Sequence, residues 1–554
     1  MTKTMRKYGI LLGLSLTASA LAQNAPLFPT KSYFRNHFGT PSTRVELRPP
    51  VRLRDHVVAG KLEMSLRSYL ELVLANNTNI AIERLNIETQ KNAILRAFGT
   101  FDPSLAANFR NTRTKSPTSD VLQGAATLNQ LSQPAEFTYR QTLETGTSYT
   151  VGFNASKLST NNQFATFNPA LSSSLAFTVT QPLLRNRGPA ISRLPITIAR
   201  SKMKVSEFEL RDAVMRLIAT AESAYWDVIS ARENLGVQQQ TLALRGEALK
   251  RAQKELDLGA LSPLDIFQPQ AEYASAEIQV SQARFQLAQS EDALRKQIGA
   301  DLDADVRRLP LSLTESVLPP TETATIDSER AVELALRLRP DLRAAVQNID
   351  VDELNIKSTT NLLRPDLSLS GGYTASGRGG NYFQKTDVFA GDGTSSTVVN
   401  MIPGGINDAL SQVFRFNYPT YYFQLSLRLP LRDRAAQANL ADAMVAKKTD
   451  ALRVRNVEQT VRLEVLNAVT QVEASKASVR LATIARDLAQ KNYEAELKKY
   501  ELGASYLFLV LDSQTRLATA QSRLLTESVN YRRNSLTLLR TTGELLEQRG
   551  IAVQ

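Results

Sequence analysis

The chain is written twice, and this limits its possible folds more than any other property. Leu258-Gly259-Ala260 recurs as Leu502-Gly503-Ala504, and the same offset pairs Gln270 with Gln514, Ala274 with Ala518, Ala276 with Ala520, Leu294 with Leu538 and Gly299 with Gly543. A second pairing aligns Tyr69–Leu105 with Ala331–Leu367, matching Glu71 with Glu333, Leu72 with Leu334, Asn86 with Asn348 and Pro103 with Pro365. Each copy is far longer than a solenoid repeat, so one unit has been duplicated. The expectation is a pseudo-two-fold structure in which anything functional at one glycine turn has a counterpart at the other.

The longest stretches of both copies read as helix. No proline interrupts the chain between Pro195 and Leu258, and Leu217, Ala221, Ala224, Val228, Ala231, Leu235, Gln238, Leu242, Arg245, Leu249, Ala252 and Leu256 step by three and four. In the second copy Val461, Val465, Ala468, Val472, Ser475, Val479, Ala482, Arg486, Ala489 and Tyr493 do the same. Such spacing held over many turns predicts coiled coil. A helix of about 65 residues is ~100 Å long at ~1.5 Å per residue, too long for a compact domain. At the turns, Gly259 and Gly503 reverse the chain, and Ser262-Pro263-Leu264-Asp265 predicts a helix start with Ser262 as N-cap and Pro263 at its first position. Further N-terminal, Ser65–Phe98 and Asp327–Leu363 read as matching helices, ended by Pro103 and Pro365.

Between the helices the period changes to two. Leu175, Phe177 and Val179 alternate with Ala176, Thr178 and Thr180, and Tyr421, Phe423, Leu425, Leu427 and Leu429 alternate with Gln424, Ser426 and Arg428. One apolar and one polar face suit a barrel wall between lipid and water, and equally a soluble antiparallel sheet with one solvated face. Segments 112–147 and 375–418, rich in Gly, Ser, Thr and Asn, read as surface loops. Tyr149, Val151 and Phe153 predict an extra hairpin strand of unassigned place. Each half is thus expected to hold two principal strands and an antiparallel helical hairpin.

The N-terminus bounds the compartment. Lys3, Arg6 and Lys7 precede the apolar run Tyr8–Thr17, and Ala20-Leu21-Ala22 offers a cleavage site, so residues 1–22 read as a secretory leader. Beyond it no apolar stretch reaches the ~18 residues of a spanning helix, which leaves strands as the route into a membrane. Residues 23–62 read as an extended Pro/Arg-rich arm without its own core. The first repeat is assigned to 63–310, a linker to 311–326, the second repeat to 327–545 and a tail to 546–554.

Chemistry is sparse. Cysteine is absent, and the two histidines, His37 and His56, lie in the arm without a ligand pattern, so no metal or other cofactor is expected. No phosphate loop or nucleophile elbow argues for an enzyme. The net charge of +12 is scattered along the helices without an aromatic-interleaved patch, which argues against nucleic acid.

Four strands per chain cannot close a barrel, which needs about eight, and open edges are excluded from a bilayer, so several chains must share one wall. The duplicated helix–strand–strand–hairpin plan, the strand end Thr180-Gln181-Pro182-Leu183-Leu184 and the Leu-Gly-Ala tips resemble the TolC-type outer-membrane efflux proteins over about residues 63–545. The resemblance implies a mixed membrane α+β fold: a homotrimer with a 12-stranded β-barrel in outer-membrane lipid, continued by an α-helical coiled-coil barrel in the periplasm. It implies a periplasmic adaptor and an inner-membrane transporter as partners, with drugs, ions or proteins as cargo.

It also implies a periplasmic gate at Asp265, Asp512 and Tyr500, which match the family's aperture positions; a second aspartate common in the later tip is Leu509 here. Asp265 reads equally as a helix N-terminal acid, and Tyr500 as a packed seam residue. Gly259, Ala260, Leu261, Ser262, Gly503, Ala504 and Ser505 are the implied adaptor contacts, although tight turns alone also call for small residues. A competing reading of the whole chain is an exported envelope coiled-coil protein with a soluble β cap.

Overall fold

The computed structural model describes residues 49–118, 125–259, 262–316, 326–386 and 397–552, with Thr30, Lys31 and Phe34 before them. The leader, His37, Ala260, Leu261 and the last two residues lie outside the described residues. The chain divides into two compact units, Met1–Pro49 and Pro50–Gln554. The architecture below is that of the second.

Its first half contains the helices α1 (Leu66–Asn76), α2 (Thr78–Phe98), the short α3 (Pro189–Ser192), α4 (Leu194–Asp257) and α5 (Phe267–Gln297). The second contains α6 (Ser328–Leu338), α7 (Pro340–Leu362), the short α8 (Ile406–Phe414), α9 (Arg434–Glu501), α10 (Leu507–Thr542) and α11 (Leu545–Gln548). The 64 residues of α4 and 68 of α9 make rods of ~95–100 Å. No helix among the described residues is long and apolar enough to cross a membrane.

Each stretch expected as one helix before the strands is in fact two, broken at equivalent places. Asn77 leaves the helical region, and its side chain accepts the N–H of Asn79 at 2.9 Å, capping α2. In the second half Pro340, which has no N–H to donate, opens α7 after extended Arg339. At these breaks the return helices arrive. The Asn77 amide donates to the Gln297 carbonyl at 3.2 Å and its side-chain oxygen at 3.1 Å, so α5 ends where α2 begins. Likewise Gly543, the C-cap of α10, lies against Leu338 and Arg339, where α7 begins. Each half therefore presents two parallel columns: one long helix, and two shorter ones joined end to end.

Many of the three-four positions are buried, as Ala221, Val228, Val461, Val465, Ala468, Val472 and Ala482 show. The main core lies around the middle of α4, where Ile218, Tyr225 and Trp226 meet Leu62, Met64, Tyr69, Leu294, Ile298 and Leu536. A small sheet there joins β1 (Val57–Val58) and β2 (Lys61–Met64), and a later strand from Leu311–Leu313 pairs parallel with β2. The last residues of the arm, Leu53 and Leu62 among them, are thus woven into this core.

The large sheet comprises β3 (Ser104–Phe109), β4 (Thr112–Pro117), β5 (Thr127–Thr142), β6 (Ser148–Thr160) and β7 (Ala170–Pro182) from the first half. With Leu311–Leu313 as β8, the second half adds β9 (Asp366–Gly379) and, beyond a separate hairpin of β10 (Tyr382–Thr386) and β11 (Thr397–Ile402), β12 (Tyr418–Arg428). The order is β12-β9-β7-β6-β5-β3, antiparallel throughout, with β4 also on β5. β3 and β4 pair with β5 in one unshifted register. They are a single path interrupted opposite Pro134, which cannot donate to the ladder. The sheet thus has six strand paths among the described residues.

The expectation of two principal strands per half is corrected here for the first half, which gives the large sheet four strand paths, while the second half gives it two. Residues 112–147, read as surface loop, supply β4 and β5, and the hairpin β5–β6 sits inside the sheet. Its cross-strand rings, Phe137 with Phe153 at 6.4 Å and Tyr139 with Tyr149 at 5.9 Å, help to fix its pairing. Segment 375–418, also read as loop, supplies the end of β9, the β10–β11 hairpin and α8.

Register makes the two faces explicit. Leu105, Tyr139, Val151, Phe177, Tyr373 and Tyr421 form one row across all six paths. Ser104, Arg140, Thr150, Thr178, Gly372 and Tyr422 form a row on the other face. The apolar face is largely uncovered: Leu105, Phe137, Phe177, Tyr421 and Phe423 are all exposed. Only its far end is overlaid, where Ala409 and Val413 of α8 are buried. A Cβ at Gly377 would fall 2.0 Å from the Ala409 carbonyl oxygen, so glycine is what lets α8 lie this close to β9.

Candidate functional site

The ends of the rods remote from the sheet are the two helix tips. Gly259 (φ 75) and Gly503 (φ 74) both take the left-handed conformation that stops a helix. At the second tip the N–H of Gly503 donates to Tyr500 at 2.9 Å and that of Ala504 to Lys499 at 2.8 Å, closing the orphan carbonyls of α9. At the first, Gly259 donates to Leu256 at 2.9 Å. Nothing lies within 4 Å of a Cβ built at either glycine, so backbone conformation, not space, demands them.

The predicted helix start at Ser262 is corrected. The Ser262 hydroxyl does accept the Leu264 N–H at 3.3 Å, and its carbonyl accepts that of Asp265 at 3.0 Å, but this is an isolated turn. Regular helix begins only at Phe267. The reason was present in the sequence: a helix begun at Pro263 would need residue 269 to donate to the carbonyl of Asp265, and residue 269 is proline.

Tyr500 joins the two hairpins. Its hydroxyl donates to the Glu255 carboxylate at 2.8 and 3.0 Å, and the Arg251 guanidinium stands 5.9 Å from its ring centre. Glu255 and Arg251 are on α4, Tyr500 on α9, so the contact bridges the outgoing helices of both halves. Partial burial and the Glu255 carboxylate push the Tyr500 hydroxyl up to about 12, which keeps it protonated and donating. Tyr500 is thus packed into the seam between the two hairpins.

Asp265 is exposed and lines a cleft with Gln268 and Pro269 against Tyr506, Leu507, Phe508 and Leu511 of the other tip. Asp512, on the first turns of α10, holds Arg516 of the same helix at 2.8 Å. Its charge is thus partly answered within its own helix. Ser505 is likewise engaged, donating to Glu496 at 2.9 Å, and Glu496 also takes Lys499 at 2.7 Å. Those two donors hold the Glu496 carboxyl below its usual range.

Sequence reasoning missed Glu255 and Arg251, the partners of Tyr500, because the register between the two hairpins is set only by tertiary packing. It also missed the apolar surface of the tips. Leu258, Leu264, Leu502, Tyr506 and Phe508 are exposed there, the first four at 77% or more, where burial elsewhere would be worth ~1.5–3 kcal/mol each. The signal was available: Leu258 and Leu502 stand at the repeated turn itself.

Comparisons with known proteins agree with this geometry. The sequence profile described as outer membrane efflux protein matches residues 146–300 and 331–544, more than half of the chain. The outer membrane efflux protein BepC of Brucella suis is 22% identical over 365 residues, covering 65% of this chain and 71% of BepC. The outer membrane protein TolC of Vibrio cholerae is 24% identical over 367 residues, covering 64% and 74%. Among solved structures, the outer membrane protein VceC of Vibrio cholerae has the same fold with a TM-score of 0.59 at 15% identity, covering 86% of this chain and 96% of VceC. The chain belongs to the outer membrane efflux protein family.

Proposed function

We propose that this protein is the outer-membrane channel of an efflux or type I secretion machine. Three copies close around one axis, their sheets forming a barrel in outer-membrane lipid and their helical columns a tube in the periplasm. At its tips the tube meets a periplasmic adaptor and, through it, an inner-membrane transporter. Small molecules or proteins then leave without release into the periplasm.

The observation that carries this reading is the sheet with one largely uncovered apolar face, one polar face and two open edges. Six strands do not close a barrel alone, and hydrocarbon tolerates no open edge. Identical neighbours supply the missing walls, with lipid outside and water inside.

The tips are the periplasmic gate in this reading. Tyr500 tethers the two hairpins of each copy, while Asp265 and Asp512 set the charge of the opening; carboxylates repeated about an axis attract cations and repel one another. Gly259, Ser262, Gly503, Ala504 and Ser505 shape the turns. The exposed Leu258, Leu502 and Tyr506 around them are the apolar surface an adaptor covers.

Fractionation of expressing cells tests the reading. The expected result is an oligomer in the outer membrane that runs as one species unless boiled. Recovery in the soluble periplasmic fraction would favour the coiled-coil protein with a soluble cap instead.

A further inference from the structure

The hairpin β5–β6 has no free edge: β5 lies between the β3–β4 path and β6, and β6 between β5 and β7. It also shares the two-faced pattern of the whole sheet, with Phe137, Tyr139, Val151 and Phe153 on the apolar side and Thr138, Arg140 and Thr150 on the polar side. A hairpin appended outside a barrel, or folded into its lumen, would have no reason to keep both faces in register with its neighbours. We infer that β5–β6 is part of the membrane wall, so that three copies close an eighteen-stranded barrel in which β12 of one copy pairs with the β3–β4 edge of the next. This rests on the trimeric channel proposed above.

Parity permits that closure. With six paths in strict antiparallel alternation, the two edges of one copy run in opposite directions. β12 of one copy can therefore lie antiparallel to the β3–β4 path of the next while both keep their apolar faces outward. The contact is heterologous, and such contacts close into rings when the rotation allows. An insertion of one strand would have broken the alternation; an insertion of two preserves it.

The helices of the same trimer supply a comparison of dimensions. Four columns per copy make a ring of twelve, and helices packed 8–10 Å apart give it a perimeter of roughly 100–120 Å. Eighteen strands ~4.8 Å apart and tilted by ~40° have a perimeter of about 113 Å, whereas twelve give only about 75 Å. The wider wall matches the tube it continues. Its backbone-to-backbone diameter is about 36 Å instead of about 24 Å. On these dimensions the wall itself does not narrow the passage at the membrane. The consequence is a wall wide enough for bulky solutes.

Cryo-electron microscopy of the detergent-extracted oligomer in lipid nanodiscs counts the strands directly, and disulfide trapping checks their neighbours. The chain has no cysteine of its own. The double variant Ala107→Cys/Phe137→Cys places thiols on directly paired residues of β3 and β5. Ala107→Cys/Leu175→Cys places them on β3 and β7, which adjoin only if the hairpin leaves the wall. The expected result is an eighteen-stranded ring, 1.5-fold the perimeter of a twelve-stranded one, with the first pair trapped and the second not. A closed twelve-stranded trimer with the second pair trapped overturns this inference and leaves the channel reading standing. Particles with no closed ring sink the channel reading, and this inference with it.

Discussion

The two joints between return helix and following helix occupy equivalent places in the duplicated plan but are built from different chemistry. In the first half the joint is neutral, an amide of Asn77 donating to Gln297. In the second the equivalent residue is ionic and faces sideways: Arg339, only 11% exposed in its side chain, holds Asp341 of α7 at 2.6 and 3.0 Å and Glu464 of the outgoing helix α9 at 2.5 Å, tying the joint to the neighbouring column. The duplicated unit thus fixes where the columns meet, while each copy has settled separately on what holds them. The tips show the same divergence. Tyr500 bridges to Glu255 from the second half, yet its counterpart at the first-half offset is Leu256, which has no hydroxyl to return. Equivalent positions share backbone geometry but differ in their polar chemistry.

The largest effect expected from this asymmetry is at the second joint. Arg339→Met removes a largely buried guanidinium from two partly exposed carboxylates, and losing these charge-assisted hydrogen bonds should cost about 2–3 kcal/mol. The oligomer should dissociate at a clearly lower temperature, read by electrophoresis of samples heated stepwise. If Arg339→Met is no worse than Asn77→Ala, the contrast between the joints is wrong. Asn77→Ala removes a cap and two hydrogen bonds and should cost about 1–2 kcal/mol.

Acid should separate the joints in the same way. Asp341 is opposed by burial, but its bonds to Arg339 win and hold its carboxyl below the usual carboxylate range. A lowered folded value means the stabilisation is complete above the ordinary carboxylate pKa and is lost as pH falls through and below it. Below about pH 4 the wild type should lose heat resistance, and Arg339→Met, which lacks this contribution already, should lose less.

Smaller effects are expected at the tips. Tyr500→Phe deletes a hydrogen bond to a carboxylate at a partly exposed site, worth about 1–2 kcal/mol, and should raise open-channel occupancy roughly five- to thirtyfold in planar bilayers. Because the Tyr500 hydroxyl is raised to about 12, the tether should be fully present below pH 10 and lost only as pH climbs towards 12. Leu256→Ala, at the equivalent place, should alter gating little. The smallest change is expected from Asp512→Ala. Its charge is shared with Arg516, so conductance should rise less than twofold, with a modest loss of cation preference. Unchanged conductance and selectivity would remove Asp512 from the gate.

The parts of this architecture legible in the sequence are those governed by local periodicity. The three-four spacing of Val461, Val465 and Ala468 and the positive-φ turns at Gly259 and Gly503 required no knowledge of neighbours. The hairpin β5–β6 was half visible: Ala135, Phe137 and Tyr139 alternate with Glu136, Thr138 and Arg140, but in residues 127–134 Leu128 and Leu131 break the period of two and Pro134 interrupts it. Only pairing with β4 and β6 makes residues 127–134 a strand. The breaks at Asn77 and Arg339 were overlooked for different reasons: Pro340 marks the second locally, whereas at Asn77 only a short polar cap marks a place where the end of α5 arrives from 220 residues away. The Tyr500–Glu255 contact was hidden for the reason that applies at Asn77.

Single-channel recording of the purified, detergent-extracted oligomer in planar lipid bilayers tests the central claim most directly. Stepwise conductance from a species with the mass of three chains is the expected result, increasing in Tyr500→Phe. A monodisperse single subunit that leaves the bilayer sealed would contradict it.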